Sequence, residues 1–247
     1  MPDLTPLLPF YEELFGADRW PQILEGLKAP TRYPLLSNKY ANMAYTLEIL
    51  KGIDPPLTQI PSLKATCLES EALEPRPFPS PPKDESNLKL YYPLDAASVL
   101  VAEALDVQAE DDVLDMCAAP GGKSLEKMKK LDPSSVLGTL QLNEPNESRR
   151  KRLRIVIDEY IPAKLISQKI RFTGCDASMF GAFPEESFDR ILVDAPCSSE
   201  RHLLQNDEHG SWTPAKSKTL AKKQVSMLLN ALRALRPGGR VVYATCS

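Results

Sequence analysis

From Asn87 onward, short apolar runs alternate with amphipathic stretches, and this alternation restricts the fold more than any other feature of the chain. Strands are expected over Asp112–Met116, Val136–Leu142, Lys169–Thr173, Arg190–Val193 and Arg240–Ala244. Between them the spacing predicts helices over Gly122–Lys130, residues 147–160 and Leu220–Leu235, the last stopped by Pro237-Gly238-Gly239. Another helix, Ala96–Leu105, precedes the first strand, with Val99, Leu100 and Ala104 as its inner face. Near-continuous apolar strands are covered on both faces, as parallel strands joined by crossover helices are. The expected fold is α/β, a Rossmann-like, doubly wound and mainly parallel sheet.

The first 86 residues read differently. Proline is concentrated there, and Ala72–Lys83 alone holds five, which predicts a linker or draped surface segment. Short helices are expected over Tyr11–Phe15, Trp20–Leu27 and Tyr40–Leu50, the last with Met43, Leu47 and Leu50 at helical spacing. The division is thus a helical extension and Pro-rich linker over 1–86, then a sheet domain over 87–247. A length of 247 residues, 43% hydrophobic and 26% charged, suits that plan. No segment approaches the roughly 18 uninterrupted apolar residues of a membrane span, so no membrane partner is expected. Neither a secretory signal nor a mitochondrial presequence is visible. Five cysteines without a Cys-x-x-Cys pair indicate no metal site and no disulfide framework, and a reducing compartment is expected. A net charge of −3 makes no global case for nucleic acid, so any such case rests on local clusters.

The first strand runs into Cys117-Ala118-Ala119-Pro120-Gly121-Gly122-Lys123-Ser124, a tight turn that opens a helix. Glycines there let the backbone approach a ligand closely. Three readings stand side by side. One is a plain strand-to-helix loop. A second is a phosphate-binding loop, since Gly122-Lys123-Ser124 fits and Arg190–Asp194 resembles a magnesium-binding strand. Against it, Cys117 replaces the first glycine and Pro120 removes a backbone donor. The third is a ligand with an adenosine end and no phosphates, such as S-adenosylmethionine. Glu144 then sits where a ribose-binding acid is needed, and Asp176, after the third strand, is placed to accept from the adenine amino group.

Two further apolar runs end in cysteine: Asp194-Ala195-Pro196-Cys197 and Tyr243-Ala244-Thr245-Cys246. Carbon 5 of a pyrimidine is a poor nucleophile until a thiolate adds to carbon 6 and makes an enamine. A carboxyl group beside the ring stabilises the charge that develops, and a second proton-handling group clears the carbon 5 proton. Asp194, Cys197 and Cys246 supply that inventory at neighbouring strand ends. A free thiol is only a few per cent ionised at neutral pH, and Lys123 is the nearest cation by motif position. Cys67, Cys117 and Cys175 are expected to be inert, although Cys117 can still line the ligand.

Together these three motifs resemble the Sun-type (Fmu/RsmB-like) family of RNA cytosine-C5 methyltransferases, over about residues 87–247. Arg32–Leu36, Asn38–Tyr40 and Pro196–His202 are similar to its mitochondrial-type branch, which modifies organellar ribosomal or transfer RNA. The resemblance implies S-adenosylmethionine as cofactor and RNA as substrate, ribosomal before transfer RNA. It implies Cys246 as the nucleophile and Cys197 as the residue of proton removal and release. Asp194 would contact the cytosine and lie near the reactive end of the cofactor, and Lys123 would orient the target. Cofactor contacts would run through Cys117, Ala118, Ala119, Pro120, Gly121, Gly122 and Lys123, then Glu144, Arg149, Asp176 and Asp194. The branch implies a mitochondrial location; without it, cytoplasm or nucleus is expected, and the expected state is a monomer.

Two departures from the family pattern carry consequences. The chain stops one residue after Cys246, where family members continue with further strands. The sheet is therefore expected to be truncated and this form weakly active or inactive, because chain ends fray. A non-catalytic RNA- or partner-binding relative is the rival reading. Secondly, Glu144 stands where the family often has Asp. For RNA, the candidate cations are Arg149–Arg152 with Arg154, then Lys127, Lys129 and Lys130, and Lys216, Lys218, Lys222 and Lys223. The target base must be unpaired or flipped, because carbon 6 is inaccessible in a duplex.

Overall fold

The computed structural model describes residues 7–30, 34–53, 56–60, 63, 67–70, 78–128, 130, 135, 137–206 and 212–245. In chain order the first half holds α1 (Leu7–Phe15), α2 (Trp20–Lys28), β1 (Leu35–Ser37), α3 (Met43–Lys51), β2 (Leu57–Gln59), β3 (Cys67–Ser70), β4 (Tyr91–Pro93) and α4 (Ala96–Ala104). The rest is β5 (Asp112–Asp115), α5 (Gly122–Met128), β6 (Thr139–Asn143), α6 (Glu147–Tyr160), α7 (Ala163–Lys169), β7 (Ile170–Thr173), β8 (Phe188–Ala195), α8 (Glu200–Asn206), α9 (Pro214–Ala234) and β9 (Leu235–Thr245).

The main sheet is parallel throughout, in the order β7-β6-β5-β8-β9. Successive residues of its strands enter opposite cores, as the two-residue period requires. Val113, Leu140, Leu142 and Leu192 pack beneath α5 and α6, with Leu125, Met128, Leu153 and Ile157. Leu114, Ile191 and Val193 pack against Met227, Ala231 and Ala234 of α9. The chain fills β5, β6 and β7 outward, then returns to add β8 on the other side of β5. The β5/β8 junction is therefore a topological switch point, where the loops diverge and leave a crevice at the carboxyl ends of the strands. This is the doubly wound α/β fold expected from the alternation.

A second, antiparallel sheet of order β2-β3-β1-β4 lies in the N-terminal region, which the sequence reading filled with helices and a linker. Three of its strands are three residues long, too short to show a period, and β4 comes from beyond residue 86. The small sheet is tied to the end of α6 by polar bonds. Asn38 Nδ2 donates to the carbonyl of Tyr160 at 2.9 Å, and the Tyr160 hydroxyl donates to the carbonyl of Tyr91 at 3.0 Å.

Two helix faces differ from expectation. In α3, capped by the Asn42 side chain on the amide of Tyr45, Thr46 and Leu50 are buried while Met43 and Leu47 are 45% and 48% exposed. In α4 the buried residues are Val99 and Ala102, whereas Leu100 is 50% exposed and Ala104 faces solvent. Leu50 and Val99 turn inward as expected, whereas Met43, Leu47, Leu100 and Ala104 do not. Which side of a helix turns inward depends on the neighbour it meets.

Candidate functional site

The site is built on a difference in strand length. Asp115, the last residue of β5, is level with Leu192 of β8, so Val193, Asp194 and Ala195 run on past the end of β5. Asp194 thereby comes over the turn that starts at Met116. Its Oδ2 accepts from Lys123 Nζ at 2.8 Å. Lys123 and Asp194 are thus joined as an ion pair, and the Lys123 ammonium is directed to a carboxylate.

Beneath the turn lies a buried polar cluster that the motif reading does not single out. Asp115, buried, accepts from the Ser124 hydroxyl at 2.8 Å and from the Lys127 ammonium, and its Oδ1 lies 3.4 Å from the amide of Cys117. Burial pulls the Lys127 ammonium below the ordinary lysine value, and Asp115 opposes that pull. Lys127 is fully buried, which removes it from the candidate RNA-binding cations. A charged residue closing an apolar strand, followed by a lysine on the inner side of the next helix, was the available signal. Lys129 and Cys246 lie outside the described residues.

The turn itself needs its glycines. Gly121 has φ +124°, and a Cβ at Gly122 would come within 2.6 Å of Leu94 Cδ1 and 2.9 Å of Tyr92 Cε1. The chain therefore passes so close to Tyr92 and Leu94 that a side chain at Gly122 would force them to shift. On that side a hollow of about 250 Å³ is lined by Tyr92, Leu94, Ser98, Cys117, Lys123 and Asp194, among others.

Across Cys117 and Asp194 lies a second hollow, of about 210 Å³. Met116, Ala177, Pro196 and Met227 give it apolar walls, and Glu144, Arg149 and Asp176 give it charge. Glu144, just past the end of β6, is buried, and its Oε1 accepts from the amide of Asn146 at 2.9 Å. Arg149 lies 3.4 Å from Glu144 Oε2 and donates to the carbonyl of Ala119 at 3.0 Å, so it couples the acid to the turn. Asp176 accepts from the amide and hydroxyl of Ser178, and these bonds hold its carboxyl below the ordinary value. Its other oxygen is 3.3 Å from Lys223.

Asn143, fully buried, fastens the strand ends: its amide donates to the carbonyls of Met116 and Cys175 and accepts from Thr173 Oγ1 and the amide of Cys175. Cys117 is a poor nucleophile here. Burial, and then the charges of Asp115, Asp194 and Glu144, push its thiol up to about 12. Cys197 follows Pro196 in a loop where its sulfur is 3.9 Å from Ser199 Oγ.

Gln224 of α9 was invisible to sequence reasoning. It donates to the carbonyl of Pro196 at 2.8 Å and accepts from the Tyr243 hydroxyl at 2.8 Å, bridging the Cys197 loop to β9. The end of β9 lies alongside, with Ala195 paired to Thr245. Among the basic runs, Arg150 donates to the carbonyls of Glu144 and Pro145, and Arg154 lies 4.2 Å from the centroid of the Phe172 ring. Lys130, Arg152, Lys216, Lys218 and Lys222 are exposed.

Comparison with known proteins gives a family and a fold. A family model described as 16S rRNA methyltransferase RsmB/F matches residues 102–247. The 5-cytosine rRNA methyltransferase NSUN4 of Xenopus laevis is 37% identical over 195 residues, covering 77% of this chain and 47% of the frog protein. The mouse protein named tRNA (cytosine(34)-C(5))-methyltransferase, mitochondrial, is 34% identical over 244 residues, covering 93% of this chain and 67% of its own. A crystal structure of a methyltransferase homolog from Pyrococcus horikoshii superposes with a TM-score of 0.70 at 26% identity, covering 96% of this chain and 71% of that one. The chain thus spans about half the length of the frog relative.

Proposed function

The chain belongs to the RsmB/F family of 16S rRNA methyltransferases, and from that premise we propose that it moves a methyl group from S-adenosylmethionine to carbon 5 of a cytosine in RNA. The observation that carries this reading is the pair of hollows that share Cys117 and Asp194 at the switch point. One is furnished for an adenosine and the other, roofed by Tyr92 and Leu94, for a flat base.

The buried Glu144 carboxylate can hold two ribose hydroxyls, and Asp176 can accept from an amino group. Met116, Ala177 and Met227 suit the faces of a purine. The chain has this donor and acceptor set without a phosphate cradle, since Pro120 lacks an amide hydrogen in the turn. When bound, S-adenosylmethionine supplies an electrophilic methyl group on sulfur.

The remaining chemistry belongs to the protein. The Cys246 thiolate adds to carbon 6, forming a sulfur–carbon bond and sending the ring electrons toward carbon 5. Asp194, held by Lys123, accepts from the amino group of the base and orients it, and the Lys123 ammonium beside it offsets the negative charge that develops on the ring. Carbon 5 takes the methyl group, the pair of the broken sulfur–methyl bond staying on the departing neutral thioether, and Cys197 then assists removal of the carbon 5 proton. The returning electron pair then breaks the bond to carbon 6 and releases the thiolate. Residues 87–247 would form the catalytic domain, with the small sheet supplying the Tyr92 wall. The exposed cations of α6 and α9 would meet phosphates, giving a salt-dependent affinity.

We infer ribosomal before transfer RNA as substrate, with relatives named for each, and a mitochondrial location, which the name of the mouse relative supports. Bisulfite sequencing of ribosomal and transfer RNA from cells with and without the gene tests the proposal. A cytosine that loses its protection when the gene is removed is expected, and no change at any cytosine would overturn it.

A further inference from the structure

Beside the loop that carries Cys197, one buried carboxylate gathers donors from three separate stretches of chain. Glu200, the first residue of α8, is 1% exposed. Its Oε1 accepts from the Tyr11 hydroxyl at 2.6 Å, from Trp212 Nε1 at 2.8 Å and from the Ser198 hydroxyl. Its Oε2 is buried and has no hydrogen-bond partner. A carboxylate taken out of water is strongly unfavourable unless donors hold it, so Glu200 depends on this concentration of bonds on one oxygen. The surroundings keep water away. Tyr11 stacks on Trp20 with centroids 5.5 Å apart, and Phe10 meets Trp212 edge-on at 5.4 Å.

Between Ser198 and Glu200 the backbone is strained. Ser199 has φ +63°, in the left-handed region that residues with a Cβ seldom occupy. Such a conformation persists only where neighbours over-determine it, and it concentrates at functional loops. Here the Ser198–Glu200 bond closes across the strained residue, and Tyr11 and Trp212 fix the far end of that bond. The Cys197 sulfur lies directly on the other side, 3.9 Å from Ser199 Oγ.

We propose that Glu200 is a positioning residue: through Ser198, and anchored by Tyr11 and Trp212, it holds the Cys197 loop in its working geometry, so that helix α1 belongs to the reaction machinery. This inference rests on the reading of Cys197 as the release residue. A one-ångström displacement of such a group is enough to slow its step by orders of magnitude.

The test uses Tyr11→Phe and Glu200→Gln, which keep ring and volume and alter only the bonds. In the folded protein, alkylation of each cysteine by iodoacetamide is followed by mass spectrometry, with Cys175 as the internal reference. A freed loop samples open conformations, so Cys197 is expected to react at least about threefold faster in both variants, with Cys175 unchanged. If Glu200→Gln fails to fold, Tyr11→Phe carries the test alone. A Cys197 rate within about twofold of the parent, or slower, in folded Tyr11→Phe overturns the proposal. With RNA and S-adenosylmethionine present, Tyr11→Phe is expected to accumulate the covalent protein–RNA adduct as Cys197→Ala does. Tyr11→Phe combined with Cys197→Ala should accumulate no more than either single variant. Should Cys197→Ala turn over without any adduct, the release role is lost, and the positioning of the loop is then decided by the alkylation rates.

Discussion

The ammonium of Lys123 and the carboxylate of Asp194, 71 residues apart in sequence, meet at 2.8 Å across the junction of β5 and β8. This pair lies at the junction where strand addition switches from one side of β5 to the other, and both proposed hollows border on it through Asp194. Its members are each about a fifth to a quarter exposed, so the pair contributes little to stability and much to the shape and charge of the site.

Replacing Lys123 by Met should therefore leave the melting temperature nearly unchanged, with a loss below about 1 kcal/mol. Methyl transfer should fall by about 10²-fold, because Asp194 loses the cation that orients it toward the base. Calorimetric unfolding and a tritiated-methyl transfer assay separate the two effects. A large drop in stability with intact transfer would contradict this division of labour.

The Asp115–Lys127 pair should behave in the opposite way. Both groups are buried, so Asp115→Ala strands a lysine ammonium in the core and should cost about 3–5 kcal/mol. Replacing both with apolar residues of similar volume, Asp115→Leu with Lys127→Met, should recover most of that loss. Urea titrations of the single and double variants read the difference directly.

Cys117 should resist alkylation at neutral pH. Burial first, and the charges of Asp115, Asp194 and Glu144 after it, raise its thiol to about 12, and thiolate is the reactive form. Peptide mapping after a short iodoacetamide pulse should find it unmodified where Cys197 is labelled. Early labelling of Cys117 would remove it from the buried position between the two hollows.

Acid stability should carry the mark of Glu200. Burial pushes its carboxyl up, but hydrogen bonds from Ser198, Tyr11, its own amide and Trp212 outweigh that and hold it below its ordinary value of 4.5. A carboxyl depressed on folding stabilises fully above its unfolded value, and that contribution fades as pH falls through the folded one. Glu200→Gln should therefore flatten the loss of stability below about pH 4.5 while leaving the slope above about pH 6 unchanged. Urea unfolding across that range supplies the check, and identical acid slopes would count against the clamp.

Much of this molecule can be read along the chain because its cause is local. Apolar runs and their spacing give strands over Asp112–Met116 and Arg190–Val193, found as Asp112–Asp115 and Phe188–Ala195, and a helix over Glu147–Tyr160. The glycines of the turn and the acids at Glu144 and Asp176 follow from the same order of elements. Phase and partnership do not. Met43 and Leu100 sit at core spacing yet face water, because the packing neighbour selects the side of the helix. Lys127 reads as a surface cation and is buried, because Asp115 waits for it on the adjacent strand. The three-residue strands of the small sheet gain their identity only from distant pairing. Local sequence carries periodicity and turn chemistry; burial, charge pairing and the meeting of Glu200 with Tyr11 depend on contacts that exist only after the chain has closed on itself.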